Sequence, residues 1–203
     1  MESLLALIFG YALGSIPFGL LLSFAAGKGD VRKIGSGNIG ATNVLRTGSK
    51  WLAAATLLLD LAKGFFAVHF AFLWFGPSVH LPEAFWAPVP MAALGAVLGH
   101  CFPVWLKFKG GKGVATNAGV AFGLSWPIGL AYAAVWLVML AGFRFSSLAG
   151  MCAVVGAAVA AFFLGAIGFV PVLALIAVLV IWLHRANIAR LRAGEEPKIG
   201  SKK

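Results

Sequence analysis

Residues 3–26 read "SLLALIFGYALGSIPFGLLLSFAA", 24 positions without a formal charge. A helix needs about 20 mostly apolar residues to cross a hydrocarbon core roughly 30 Å thick, so this stretch can span a bilayer. It is longer than the apolar core of a secretory signal peptide, and no basic residue precedes it. A retained helix is therefore predicted rather than a cleaved leader. The rest of the chain has the same character. Of 203 residues, 61% are hydrophobic and 11% charged, and the mean hydropathy is +0.96. So few charges cannot build a water-facing exterior; this excludes a soluble globular enzyme and makes lipid the expected solvent. The sequence predicts an all-α integral membrane protein, with residues 1–203 forming a single membrane-embedded domain.

Further uncharged stretches mark the other crossings. Residues 51–75 are apolar apart from Asp60 and Lys63, and 85–106 follow the loop "GPSVHLPEAFWAP". Residues 113–143 carry no formal charge over 31 positions, and residues 145–183 none over 39. Cations collect in cytoplasmic loops of membrane proteins. Here they fall at Lys28, Arg32, Lys33, Arg46 and Lys50, then at Lys107, Lys109 and Lys112, then at Arg144. The tail adds Arg185, Arg190, Arg192, Lys198, Lys202 and Lys203, whereas the 76–85 loop has Glu83 and no cation. If all these cations share one side, each long stretch crosses an even number of times. The breaks then fall at "SWP" (125–127) and "GAIGFVP" (165–171). This gives about seven transmembrane helices, with the N-terminus outside and the C-terminus cytoplasmic. Each half of 113–143 would supply about 15 residues, or roughly 22 Å of helix, so these two helices are either tilted in the bundle or partly re-entrant. A five-span arrangement, with Arg144 outside, is the alternative.

The formal net charge of +10 fits membrane orientation and an anionic ligand or lipid better than nucleic acid. Cys101 and Cys152 read as small buried hydrophobes. Two cysteines give neither a metal-ligand spacing nor a disulfide framework, and no metal or cofactor is expected.

Three polar segments share the predicted cytoplasmic side, which makes one composite site plausible. In "GSGNIGATNVLR" (35–46), Gly35, Gly37 and Gly40 allow close backbone approach and positive φ, and successive N–H groups can form a concave anion site. Ser36, Asn38, Thr42 and Asn43 add neutral donors, and Arg46 can grip a phosphate through two hydrogen bonds. The bland alternative is a flexible basic linker, but a linker does not require asparagines interleaved with glycines. In "KFKGGKGVAT" (107–116), Lys112 is followed by Gly113, so the segment is not a Walker A loop. It still puts a glycine-rich turn (Gly110, Gly111, Gly113) ahead of a helix whose N-terminus attracts anions. Lys107 and Lys109 read as orientation charges, and Lys112 as a mobile point charge in the site. In "HRANIARLRAGEE" (184–196), His184 and Asn187 lie three apart on one helical face. Asp60 and Lys63 are also three apart, inside a span. Intramembrane charges face a bundle interior or polar cavity, and a structural ion pair is the expected reading. His69 and His100 read as structural.

Together, "GSGNIGATN" with Arg46, "GHCFPVWLKFKGGKGVAT" and "HRANIARLRAGEE" resemble the three cytoplasmic motifs of the bacterial acyl-phosphate:glycerol-3-phosphate acyltransferases, the PlsY family. "DLAKG" (60–64) resembles that family's second helix, and the resemblance covers essentially the whole chain. It implies a seven-helix inner-membrane enzyme, multi-pass, with its active site on the cytoplasmic face. The implied reaction moves a fatty acyl group from acyl phosphate to the 1-hydroxyl of sn-glycerol 3-phosphate. The products are 1-acyl-glycerol 3-phosphate (lysophosphatidic acid) and inorganic phosphate, the first acylation of phospholipid synthesis. Neither acyl-CoA nor acyl carrier protein takes part directly. Membrane lipid and an acyl-phosphate-producing enzyme are the implied partners, and nucleic acid is not. By motif position, Ser36 and Arg46 match essential first-motif residues, and Gly110, Gly111 and Gly113 match the phosphate-binding turn. Lys112 matches the active-site lysine, His184 and Asn187 the third-motif polar pair, and Glu196 a structural acid. Ala186 departs from the Glu often found in "HRENI". The H-x-x-x-x-D dyad of other acyltransferases is missing: Trp74, Phe85, Trp105 and Ala189 stand five residues after His69, His80, His100 and His184. Because acyl phosphate is already activated, positioning and charge stabilisation suffice for catalysis. The expected roles are phosphate holding by Arg46, Lys112 and the Gly35–Gly40 amides, and hydroxyl orientation by Ser36, His184 and Asn187.

Two other function classes compete. A transporter for a phosphorylated solute suits broken helices and intramembrane charges, but the motifs lie on one face and no internal repeat is evident. A structural subunit holding anionic lipid leaves the glycine–asparagine pattern unexplained.

Overall fold

A computed structural model of the chain describes residues 1–76 and 86–200, and its described elements are all helical. The start of the third apolar stretch at residue 85, Glu83 in its cation-free loop, and Lys202 and Lys203 of the tail lie outside the described residues. Helices α1 (Glu2–Gly14) and α2 (Phe18–Ala25) make up the first apolar stretch. Pro17 separates them, because it has no N–H to continue the ladder. The short α3 (Ala41–Val44) lies in the first polar loop, and α4 spans Lys50–Phe75. Next come α5 (Pro88–Cys101), α6 (Val114–Leu124) and α7 (Trp126–Phe143). The chain finishes with α8 (Ser146–Phe163), α9 (Val170–Leu183) and α10 (Arg185–Arg192).

Among the described residues, five segments are long and apolar enough to cross a membrane, and a sixth is added if α9 and α10, bent by 59°, count as one. Helix α6, with 11 residues, is too short to count as a seventh. Both predicted breaks are present. Ser125 is extended between α6 and α7, and the chain turns through 164–169 between α8 and α9. The stretch 113–143 is divided into 11 and 18 residues rather than equally.

Small residues set the helix pairing, as expected where lipid cannot drive association and close backbone approach must. A Cβ on Gly10 or Gly14 would collide with the backbone of Ala92 or Ala96, and one on Gly95 or Gly99 with Leu7 or Tyr11. Thus α1 and α5 lie side by side and parallel. Gly64 meets Thr116, and Gly119 and Gly123 meet Leu61, Phe65 and Val68, which pairs α4 with α6 in the same sense. Phe9 packs on Phe70 and Trp74 near one end of α4, and Ile16 O, just past α1, accepts from Lys63 Nζ nearer the other, so α1 runs antiparallel to α4. Gly150 contacts Val114 and Gly156 contacts Val135, bringing α8 against α6 and α7. The apolar segments therefore alternate in direction along the chain.

One end of the bundle gathers all three polar segments. The first loop is packed: Val31, Ile39 and Val44 are fully buried and form a small core with Leu20 and Ala53, flanked by Leu52 and Leu106. Arg144 lies at this end too. Its carbonyl accepts from Ile199 N–H at 2.8 Å, and its guanidinium donates to Ile199 O at 3.0 Å. Arg144 and the C-terminal tail are therefore on the same side of the molecule.

Candidate active site

A polar cavity of about 310 Å³ opens where the segments meet. Ser36, Gly37 and Asn38 form one wall, Lys109, Gly110, Gly111 and Lys112 a second, and Trp182, Leu183 and Arg185 a third, with Cys101, Phe102 and Phe108 between them. Each wall comes from a different motif.

The first wall is shaped by Asn43, which turns inward and is 2% exposed. Its Nδ2 donates to the carbonyls of Val31, Ile34 and Asn38, and its Oδ1 accepts from the Ser36 amide at 3.0 Å and hydroxyl at 3.3 Å. A loop without a ladder of its own needs such a partner for its carbonyls. Asn43 is thus the clamp of the loop, its amide engaged by the loop's own backbone. Gly37 N–H donates to Ile34 O and Gly40 N–H to Asn38 Oδ1, both at 3.0 Å, so these amides face inward. Gly35 has a φ of +55°, and Arg46 occupies the space its missing side chain would fill. Arg46 lies at the rim, one residue from Ser36. It makes no hydrogen bond or ion pair among the described residues. Thr42 Oγ1 is 3.2 Å from Ser146 Oγ at the start of α8 and ties the loop to that helix.

The second wall folds back on the end of α5. Gly110 N–H donates to Cys101 O at 3.0 Å and Gly111 N–H to His100 O at 2.9 Å. These glycines line the cavity while their amides hold the loop in shape. The amides of Lys112 and Gly113 have no such partner among the described residues. Gly113, at φ +84°, caps α6, whose first N–H groups are unpaired by geometry and favour an anion.

The third wall is fixed through Glu196, 9% exposed. Its Oε1 accepts from Ser147 Oγ and from Asn187 Nδ2, each at 2.6 Å, and its Oε2 from Arg190 Nε at 2.7 Å. Burial alone would raise this carboxyl's pKa, but the donors from Ser147, Asn187 and Arg190 outweigh it and hold the pKa below the usual value. Asn187 is thereby oriented with Oδ1 outward, where it accepts from Lys112 Nζ. Burial, then the positive charge of Arg190, push the Lys112 pKa below that of an ordinary lysine, against the opposing pull of Glu196. His184 is 3% exposed and its Nδ1 lies 2.7 Å from Val180 O. A carbonyl only accepts, so Nδ1 carries the proton and Nε2 is the acceptor. Burial is the main force lowering the His184 pKa to about 4, and Lys112 adds to it. The ring is neutral near pH 7: a competent hydrogen-bond acceptor and a weak base.

Of the predicted site residues, Ser36, Gly37, Asn38, Gly110, Gly111 and Lys112 line the cavity. Asn187, His184, Glu196, Gly113 and Arg46 stand behind or beside it. Asp60 and Lys63 pair at 2.7 Å, both 2% exposed. Sequence reasoning missed Ser147, which holds Glu196, and Ser146, which meets Thr42. Neither carried a pattern of its own; the signal was only that two hydroxyls open a helix beside Arg144.

Known proteins match this arrangement. The sequence model of the family described as "Glycerol-3-phosphate acyltransferase" matches residues 4–194. A glycerol-3-phosphate acyltransferase of Erythrobacter litoralis is 64% identical over 202 residues, covering 100% of this chain and 98% of its own length. One from Mesorhizobium japonicum is 58% identical over 204 residues, covering 98% and 97%. Among solved structures, PlsY, an integral membrane glycerol 3-phosphate acyltransferase, in its glycerol 3-phosphate form superposes with a TM-score of 0.89 at 38% identity, covering 98% of this chain and 96% of that one. Its lysophosphatidic acid form gives 0.87 at 37% identity, with the same coverage. A fold shared end to end and a family match across all three cavity walls lead to one conclusion: this chain belongs to the glycerol-3-phosphate acyltransferase family.

Proposed function

We propose that this chain transfers a fatty acyl group from acyl phosphate to the 1-hydroxyl of sn-glycerol 3-phosphate, releasing inorganic phosphate. The observation that carries this reading is the polar cavity walled by all three motifs, with Lys112 held at Asn187. Two phosphates must approach one another there. Lys112, Arg46 and Arg185 offset their repulsion, and the α6 N-terminus adds its dipole. The glycerol oxygen attacks the acyl carbonyl carbon, the bond from that carbon to the phosphate oxygen breaks, and the hydroxyl proton leaves with the phosphate. A neutral His184 with its Nε2 lone pair free fits orientation of the hydroxyl; a group with a pKa of about 4 is too weak to serve as a strong general base. Preorganised charge and positioning supply the rate.

The chain is read as a multi-pass protein of the bacterial inner membrane with the cavity at the cytoplasmic face. The cations of the three loops favour that side. The pairing of Arg144 with Ile199 favours an even number of crossings in each long stretch and hence seven segments, with the N-terminus outside. The five-span alternative has no such support. An acyl-phosphate-producing enzyme is the expected upstream partner.

The test is purified protein in detergent, supplied with acyl phosphate and glycerol 3-phosphate. Phosphate release that needs both substrates and matches the acyl-glycerol 3-phosphate formed is the expected result. Counterflow of glycerol 3-phosphate in vesicles without ester formation would overturn the proposal in favour of a transporter.

A further inference from the structure

Beneath the second cavity wall lies a buried charged cluster. Lys63 Nζ pairs with Asp60 Oδ1 at 2.7 Å and donates to Ile16 O at 2.8 Å, at the break between α1 and α2. Asp60 Oδ1 faces His100 Nδ1 across 3.6 Å. Asp60, Lys63 and His100 are each under 5% exposed. Charges this deep are costly unless they pair and do a job. The cluster joins three helices at one point, and on that point rests the glycine turn. His100 O accepts from Gly111 N–H at 2.9 Å. The imidazole itself lies where Gly111 would carry a side chain: the three atoms nearest a Cβ there all belong to the His100 ring. A Cβ on Gly110 would instead strike backbone carbonyls of His100 and Cys101 and the Pro103 ring.

Resting on the reading that the cavity holds substrate phosphate, we propose that His100, braced by Asp60 and Lys63, is a positioning residue for the reaction. Its ring is the floor that sets the height of the Gly110–Gly111 turn, and so the place of Lys112 over glycerol 3-phosphate. Asp60 attracts the Nδ1–H dipole across 3.6 Å, longer than a hydrogen bond, and Nε2 lies toward the turn. Lys63 compensates the carboxylate and anchors it to the α1–α2 break. Without the ring the turn sags and Lys112 loses its register on the phosphate.

The experiment uses the full chain in detergent and compares His100→Ala, Gly111→Ala, Gly110→Ala and the two double variants with His100→Ala. His100→Ala is expected to raise KM for glycerol 3-phosphate about tenfold with kcat within threefold; general loosening of the fold would instead lower the active fraction and leave KM alone. Gly111→Ala is expected to lose at least a hundredfold in kcat/KM. The clash that causes this loss is with the ring, so Gly111→Ala/His100→Ala should recover to within threefold of His100→Ala alone, a coupling a double-mutant cycle reads directly. Gly110→Ala should not be rescued, because its clash is with backbone. If His100→Ala does not fold, His100→Val tests the same KM shift with a side chain that fills part of the core but is too short to support the turn. Amide hydrogen exchange at Gly110 and Gly111 should quicken at least tenfold in the His100 variant, independently of activity. An active wild type with no rescue and unchanged exchange overturns this proposal alone. A wild type inactive with both substrates overturns the reading of the cavity, and the exchange result then decides the role of His100.

Discussion

At the scale of single residues, the site rests on side chains whose orientation is fixed by something outside the motif that contains them. Lys112 is the clearest case. Its charge must survive in a partly buried place beside Arg190 and Arg185, both of which push its pKa down. A lysine with a lowered pKa loses its proton earlier as pH rises, so phosphate binding through Lys112 should fail below the ordinary lysine range. The alkaline limb of kcat/KM for glycerol 3-phosphate is expected below pH 10.5, and it should move toward higher pH when Arg190 is replaced by Gln. Ser147 is a second case. It holds Glu196, which orients Asn187, which receives Lys112. A hydrogen bond to a charged group contributes about 1.5–3 kcal/mol, so Ser147→Ala should lower stability by about that amount and kcat/KM roughly tenfold. Thermal inactivation in detergent and steady-state kinetics check both. Lys112, Asn187 and Glu196 could be read from the sequence because each sits in a polar run beside apolar chain. Ser147 could not, since a lone serine at a helix start has many ordinary roles. The clamp made by Asn43 was not legible either, since only the folded loop brings three carbonyls to its amide.

At the scale of elements, uncharged runs and Pro/Gly punctuation made the helices and both internal breaks readable, because both features act locally. The division of 113–143 did not follow from them. Length alone suggested equal halves, whereas the second wall folds back along α5 and α6 starts below it. The pairing of helices was present in the sequence but not used: Gly10 and Gly14, Gly95 and Gly99, and Gly119 and Gly123 are each four apart, the spacing that lets two backbones touch. Gly119 is the sharpest test, because a Cβ there would fall on Leu61 O. Overpacking costs about 1–3 kcal/mol in a well-packed core, and here the obstacle is backbone that cannot rotate away. Gly119→Val should push α6 off α4, lower the inactivation temperature and reduce activity, since α6 carries the turn of Lys112. Gly142 on α7 has nothing within 4 Å of a Cβ, so Gly142→Ala should leave both unchanged.

At the scale of the whole molecule, tryptophans support the assignment of the two ends to membrane surfaces. Trp51, Trp105 and Trp182 stand exposed at the end that holds the cavity, and Trp86 and Trp126 at the other, with Trp74 the last residue but one of α4. Indoles concentrate at the two interfaces of a bilayer. Helix α6 covers only about 16 Å, and the loop before it folds back on the end of α5 through the Gly110 and Gly111 amides. Arg144 tests this arrangement directly. Its backbone and guanidinium meet Ile199, so the residue at 144 and the tail must be labelled from the same side. With Cys101 and Cys152 first replaced by Ala, single cysteines at positions 144 and 197 should both be protected from a membrane-impermeant thiol reagent added outside intact cells, and both should react once inverted vesicles expose the cytoplasmic face. A cysteine at position 144 that reacts from outside while position 197 stays protected would return the five-span arrangement. It would also separate α8 from the tail that holds Glu196, and with it the third wall of the cavity.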